Sequence, residues 1–337
     1  MAYTDIDKPS DYFNTSLWTG DNNARTISGV GFQPDWVWEK CRSNTYSHIL
    51  IDSVRGITKQ LSSNAAASEA TDAQGITAFN SDGYVLGTQD EFANNGNTFV
   101  AWNWKAGTSF TNDASGTGIG TIDSAGSFNN DSGFSIVSYT GTGSNGTLKH
   151  GLNSTPSTII VKERGGDGNW IVYHSTLGNG KYLSLTDTGA AVTASNYWNN
   201  TSPTSSVFTV GTTGNVNGSS KTYIAYCFAD IQGYSKVGGS YVGNGNADGT
   251  FVYTGFKPAF VMIKATSTAK DWKIIDNKRN PSGLGGANPV RYRLAANTTA
   301  TTSDDGDGQD FTSQGFKFKT TDSHMNGNGT TYMYMAF

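Results

Sequence analysis

The chain has 337 residues, a net charge of −4 and only 15% charged side chains, so a basic nucleic-acid-binding stripe is not expected. Its 42 glycines, 17 Phe, 16 Tyr and 8 Trp suit strands joined by tight turns and argue against disorder, which lacks aromatics. Cys41 and Cys227 occupy unrelated positions and read as free thiols of a protein made in a reducing compartment.

Residues 1–12 form a polar leader. Met1–Pro9 carries no charged segment followed by an apolar one, so no secretory signal is expected. No apolar run reaches the ~20 residues of a membrane span. A soluble chain, not exported by the usual route and not inserted in a membrane, is therefore expected.

The first unit opens at Phe13-Asn14-Thr15-Ser16-Leu17-Trp18-Thr19-Gly20. Its counterparts are Phe134–Gly141 and the stretch from Tyr234 to Gly243. Next comes Gly31-Phe32-Gln33-Pro34-Asp35-Trp36-Val37-Trp38-Glu39-Lys40, which returns as Gly151–Lys162 and Gly255–Lys264. Each version sets a Gly-apolar pair and a proline before a β-rich run that ends in lysine. Trp18 and Lys40 stand 22 residues apart, Tyr139 and Lys162 stand 23, and Tyr241 and Lys264 stand 23. Eight residues after each lysine come His48, Trp170 and Trp272, each opening a strand.

A variable polar middle follows, then strands at Gly83–Gly87, Val207–Gly211 and Gly315–Lys319. Aromatic closing strands end the units at Thr98–Trp104, Thr222–Phe228 and Thr331–Phe337. Five landmarks shared by three copies indicate an internal repeat. A short helix is expected near Ser63–Ala70.

The spacer from Gly107 to Asn130 is rich in Gly, Ser, Thr and Asp and reads as a flexible or turn-rich linker. Units two and three join almost directly at Asp230–Gly233. That junction should therefore be more rigid and less mobile than the spacer. The predicted fold is all-β, with three tandem antiparallel β-sandwich (jelly-roll or lectin-like) domains related by internal repeat. The boundaries are 1–107 for leader and first sandwich, 108–133 for the linker, 134–231 for the second sandwich and 232–337 for the third.

Signals for chemistry are sparse. His48, His150, His174 and His324 show no metal-ligand spacing, and no P-loop or Gly-x-Ser-x-Gly elbow occurs. His48 stands where the other units carry tryptophan, which favours a packing role. Glu39 beside Trp38 offers a carboxylate next to a sugar-stacking ring, but Val161 and Ile263 take its place elsewhere. Asp305, Asp307 and Asp310 have spacings that could gather oxygens around calcium; the EF-hand pattern fails there, and a solvated turn is the simpler reading. Tyr197 and Trp198 lie in the variable middle of unit two. They are the candidate ligand-binding aromatics, while aromatics repeated across units fill the core.

Tyr12–Thr15, the Gly29–Trp38 run, Phe79–Tyr84 and Trp102–Gly107 resemble a repeat family common in tailed bacteriophages, especially marine ones. The resemblance spans nearly the whole chain. It implies a virion component, tail-fibre-like or similar to lectin-like sandwiches, made in the host bacterial cytoplasm. It brings no catalytic residues. Unlike typical phage fibres, these 337 residues are not expected to include a separate N-terminal tail-docking domain or a coiled-coil stalk, so capsid decoration and tail attachment both stay open.

The expectation is a non-enzymatic structural protein of the particle surface, acting in assembly or host attachment. It would need no cofactor, bind other capsid or tail proteins, form homo-oligomers and avoid nucleic acid. The alternatives are a carbohydrate-binding module for host surface glycan and a glycan-cleaving enzyme centred on Glu39.

Overall fold

The computed structural model describes residues 6–280 and 288–337. The chain is all-β and antiparallel, with only single-turn helices among the described residues. Four strands recur in one order. In unit one, the opening strand Phe13–Thr19 pairs with the closing strand Thr98–Trp104. The closing strand pairs with the lysine strand Trp36–Cys41, which in turn pairs with Ile49–Asp52. Unit two repeats this with Phe134–Thr140, Thr222–Phe228, Thr158–Glu163 and Ile171–His174. Unit three repeats it with Lys236–Val242, Thr331–Ala336, Phe260–Ala265 and Lys273–Asp276.

Alternation along these strands gives each sheet two buried faces. The outer face of each sheet packs within its own unit, forming three separate clusters around Val37, Val161 and Ile263. The inner faces meet one another. Trp36, Trp38, Ile160 and Met262 belong to a single central cluster fed by all three units. Trp36 stacks on Tyr226 of unit two at 4.4 Å, and Trp104 meets Phe260 of unit three at 5.7 Å. Three separate two-sheet sandwiches are not what forms: unit one has a second, three-stranded sheet, unit three is one continuous eight-stranded sheet, and beside its own outer cluster each unit shares the central core.

Hydrogen bonds close the three units into a ring at equivalent positions. His48 Nε2 lies 3.0 Å from Ala295 O of unit three. Trp170 Nε1 donates to Ser62 O of unit one at 2.8 Å, and Trp272 Nε1 donates to Ser184 O of unit two at 2.9 Å. A ring nitrogen eight residues past each lysine thus reaches a carbonyl of a neighbouring unit.

Two local expectations fail. The 108–133 segment is not a free linker: Thr108–Asn112 and Ser124–Asn129 extend the sheet of unit two, the latter pairing with Phe134–Thr140. Gly126 serves close approach, since a Cβ there would lie 1.9 Å from Ile136 O. The junction also has a bridge, Ile231 to Ser235, so the expected contrast in mobility loses its basis. No helix forms over 63–70; Ser63 instead donates to Ala296 O of unit three at 2.6 Å.

Candidate functional site

Groups that could do acid–base or nucleophilic chemistry are mostly sealed inside. Glu39 is 0% exposed and neither carboxyl oxygen has a partner. It faces the outer core of unit one, and burial lifts its pKa well above the usual carboxylate value. Trp38 is equally buried on the opposite face, so the two make no sugar cleft.

His48 is a packing residue. Trp38 Nε1 donates to its Nδ1 at 2.9 Å, so the ring proton sits on Nε2 and points at Ala295 O. A second proton would have to face the Trp38 N–H. Burial, with Lys40 nearby, lowers the pKa to about 3. His150 holds the same tautomer, since Leu152 N–H donates to its Nδ1 and Thr204 O lies 3.1 Å from Nε2. Cys41 and Cys227 are buried free thiols, and burial pushes Cys227 up to about 12.

The repeat lysines are buried too. Lys40 and Lys162 each donate to the carbonyl of the next residue at 2.6 Å and to a loop carbonyl, Asn44 O or Gly166 O. Lys264 donates to Ala265 O and reaches Thr188 O of unit two at 2.9 Å. Desolvation lowers Lys162 and Lys264 to about 8. These ammonium groups pin loops at the strand ends.

The aromatic surface expected at Tyr197 and Trp198 is not formed. Trp198 is 1% exposed and Tyr197 9%. Trp198 packs edge-on to Tyr173 and donates to Lys181 O, while Tyr197 stacks on Tyr182 at 3.8 Å. Asn199 turns the chain in the left-handed conformation and folds the pair inward. In the acidic run, Asp310 is paired with Lys319 at 3.2 Å; the side chains of Asp305 and Asp307 lie outside the described residues. Among the described residues no three His, Cys, Asp or Glu side chains gather as a metal site.

What remains accessible is the surface, where two clefts stand out. One, of about 700 Å³, is lined by Asp113, Asp123, Thr140, Arg164 and Thr222 at the end of unit two. Its groups are committed to the fold: Asp123 caps Ala114 N–H at 2.8 Å and Arg164 grips Glu69 with two bonds of 3.0 Å. The second, of about 490 Å³, lies where the leader and the opening strand of unit one meet unit three. Its walls are aromatic and three of its lining residues carry a buried oxygen without a partner: Thr15 Oγ1, Tyr234 Oη and Asn277 Oδ1.

This cavity has a cause in the repeat. Asp35, Ser157 and Ala259 occupy one position, each donating its N–H to the end of its closing strand. In unit one the Asp35 carboxylate fills the seam, accepting from Ser53 Oγ and Ala106 N at 2.8 Å each. Ala259 leaves that space open in unit three. A small residue in the third copy is the sequence signal that could have found it.

A sequence-family model, described as a domain of unknown function (DUF7483), matches residues 8–337. The chain belongs to the DUF7483 family. The match runs through all three units of this DUF7483 chain, as does the central core. A comparison with curated proteins returned no match.

Proposed function

We propose that the chain is a non-enzymatic structural protein of a bacteriophage particle, displayed on its surface as a tail-fibre-like or capsid-decorating component. Its partners are other virion proteins and further copies of itself. One observation carries this reading. Glu39, His48, His174 and both cysteines, which could supply acid–base or nucleophilic chemistry, are buried in packed cores that no substrate reaches. A body built in this way acts by presenting surface, and the phage-family resemblance of its motifs gives that surface a setting.

The test is cryo-electron microscopy of purified particles of a phage encoding the chain. Density on the capsid or tail that fits the three-unit body supports the proposal; particles lacking any copy of it overturn it.

A second reading, attachment to host surface glycan, is favoured by the aromatic-walled cavity of unit three. It replaces the site expected at Tyr197 and Trp198. An array of bacterial surface glycans probed with the full chain tests it, and a blank array counts against it.

A further inference from the structure

We propose that the turn Gly178-Asn179-Gly180 of unit two is a self-modifying site, at which the backbone converts Asn179 to aspartate and isoaspartate with water as the co-reactant. The main-chain nitrogen of Gly180 attacks Cγ of Asn179. The new N–Cγ bond closes a succinimide ring. The Cγ–Nδ2 bond breaks, and the amide nitrogen leaves as ammonia with the proton that Gly180 N has lost. Water then adds to either ring carbonyl and reopens the ring, one way to aspartate and the other to isoaspartate. Nothing is oxidised or reduced.

The attack needs a residue after the asparagine that has no Cβ in the way, and a main-chain N–H on it that is not already held. The sequence contains seven Asn-Gly pairs. In six of them the fold holds the glycine N–H. Gly96 N donates to Gly20 O at 3.0 Å, Gly245 N to Asn326 O at 2.8 Å and Gly329 N to Gly243 O at 2.9 Å. Gly218 N and Gly327 N donate to the hydroxyls of Tyr223 and Tyr332 at 2.7 and 2.8 Å. Gly146 faces Val210 in the ladder between Gly146–Lys149 and Val207–Val210. His150 N donates to Ser206 O in the same ladder, and the alternation of bonded pairs puts Gly146 N–H on Val210 O.

Gly180 is the exception. Among the described residues its N–H has no hydrogen-bond partner, although its C=O accepts from Ala194 N at 3.0 Å. There is also room for the ring to close. A Cβ on Gly178 would meet nothing within 4 Å, and one on Gly180 would meet only Asn200 Oδ1, at 3.5 Å. The Asn179 side chain makes a single exposed bond, Nδ2 to Ser202 Oγ at 3.0 Å.

The chain carries its own controls. Gly-Asn-Gly occurs three times, at 178–180, 243–245 and 327–329. The same local chemistry therefore sits in one open turn and two locked ones. The product at 179 adds a carboxylate to a chain of net charge −4. Isoaspartate also inserts a methylene into the backbone next to Gly180. There the Ala194 bond begins the pairing of Lys181–Ser184 with Val192–Thr193, the outermost strand of the unit-two sheet.

The experiment ages the folded full chain in mildly alkaline buffer, well below its melting temperature. Peptide mapping by mass spectrometry, with isoaspartyl methyltransferase labelling, follows every Asn-Gly pair. The expected result is loss of Asn179 at least about fivefold faster than of Asn244 or Asn328, which must first give up a backbone hydrogen bond. In denaturant the three triplets should convert at comparable rates. Gly180→Ala, whose Cβ has space, should slow the loss of Asn179 in the folded chain.

Asn179 that stays intact in the fold while the denatured chain converts overturns the site. So does Asn244 or Asn328 keeping pace with it in the fold, or undiminished loss in Gly180→Ala. An equal lead of Asn179 in denaturant would assign the rate to sequence and overturn the structural argument. The comparison within the wild-type chain stands even where the variant fails to fold.

Discussion

Tyr226 of unit two donates its hydroxyl to Asp52 of unit one at 2.7 Å, inside the protein and out of reach of water. Asp52 is already held by Arg55, both side chains being fully buried. Unit three repeats the arrangement: Asp276 binds Arg279 and accepts from Trp102 Nε1 of unit one at 2.9 Å. Tyr226 and Trp102 occupy the same position on their closing strands. The seams between units are thus stitched by buried charge-assisted hydrogen bonds as well as by aromatic packing.

Removing one stitch should be measurable. Tyr226→Phe is expected to lower unfolding free energy by about 1.5–3 kcal/mol, the usual worth of a hydrogen bond to a charged group. Asp52→Ala should cost more, because Arg55 loses the closer of its two carboxylates, keeping only Glu69 at 3.2 Å, and the Tyr226 hydroxyl loses its acceptor. Chemical denaturation of both variants checks the order. Equal, negligible effects would mean that the seam does not depend on Asp52.

Glu39 should be dispensable. Units two and three carry Val161 and Ile263 at its position, and its oxygens have no partner. Glu39→Val is expected to stabilise the chain by about 1–3 kcal/mol, the cost of an unsatisfied buried polar group. The sign of the pH dependence follows from the raised pKa of the folded state. Its contribution is present below the unfolded value near 4.3 and is lost as pH rises. The gain from the substitution should therefore be larger at pH 8 than at pH 4. A gain independent of pH would contradict a protonated Glu39.

The buried histidines act in the opposite direction. Burial holds His48 at about 3 and His150 and His174 at about 4 in the folded chain. The unfolded chain protonates them near 6.5. It therefore binds more protons between about pH 4 and 6.5, and stability falls as pH drops through that window. Each fully differing histidine contributes about 1.4 kcal/mol per pH unit. Melting temperature should decline from pH 7 to pH 4.5, and His48→Gln should shallow the decline. A flat profile would show that these rings take up protons in the fold as readily as in the unfolded chain.

Much of the fold was legible in the repeat. His48, Trp170 and Trp272 fall at equal spacing after their lysines, and the structure gives all three the same bond across a seam. The shared core was not legible. Trp36 and Phe260 read as core residues of separate sandwiches, because alternation tells which residues share a face and not what that face meets. The strand at Ser124–Asn129 was read as linker because its buried positions are Ser124, Gly126 and Ser127, which carry no apolar signal. Trp198 reads as a surface residue because it lies in the variable middle of unit two and has no counterpart in the other units; its indole N–H finds a backbone carbonyl and its ring finds Tyr173. The cavity gathers residues 13–15, 234, 256, 257, 259, 277 and 337, too far apart in sequence for any local pattern to unite them.

The central claim is that the three units form one body around a common core. Equilibrium unfolding of Trp36→Ala, followed by hydrogen exchange in all three closing strands, tests it most directly. The ring of Trp36 touches Tyr226, Phe134 and Phe228 of unit two. Its loss should cost about 3–5 kcal/mol. The prediction is one cooperative transition, shifted equally for the amides of Thr98–Trp104, Thr222–Phe228 and Thr331–Ala336. A first unit that melts early while the closing strands of units two and three keep wild-type protection would contradict it.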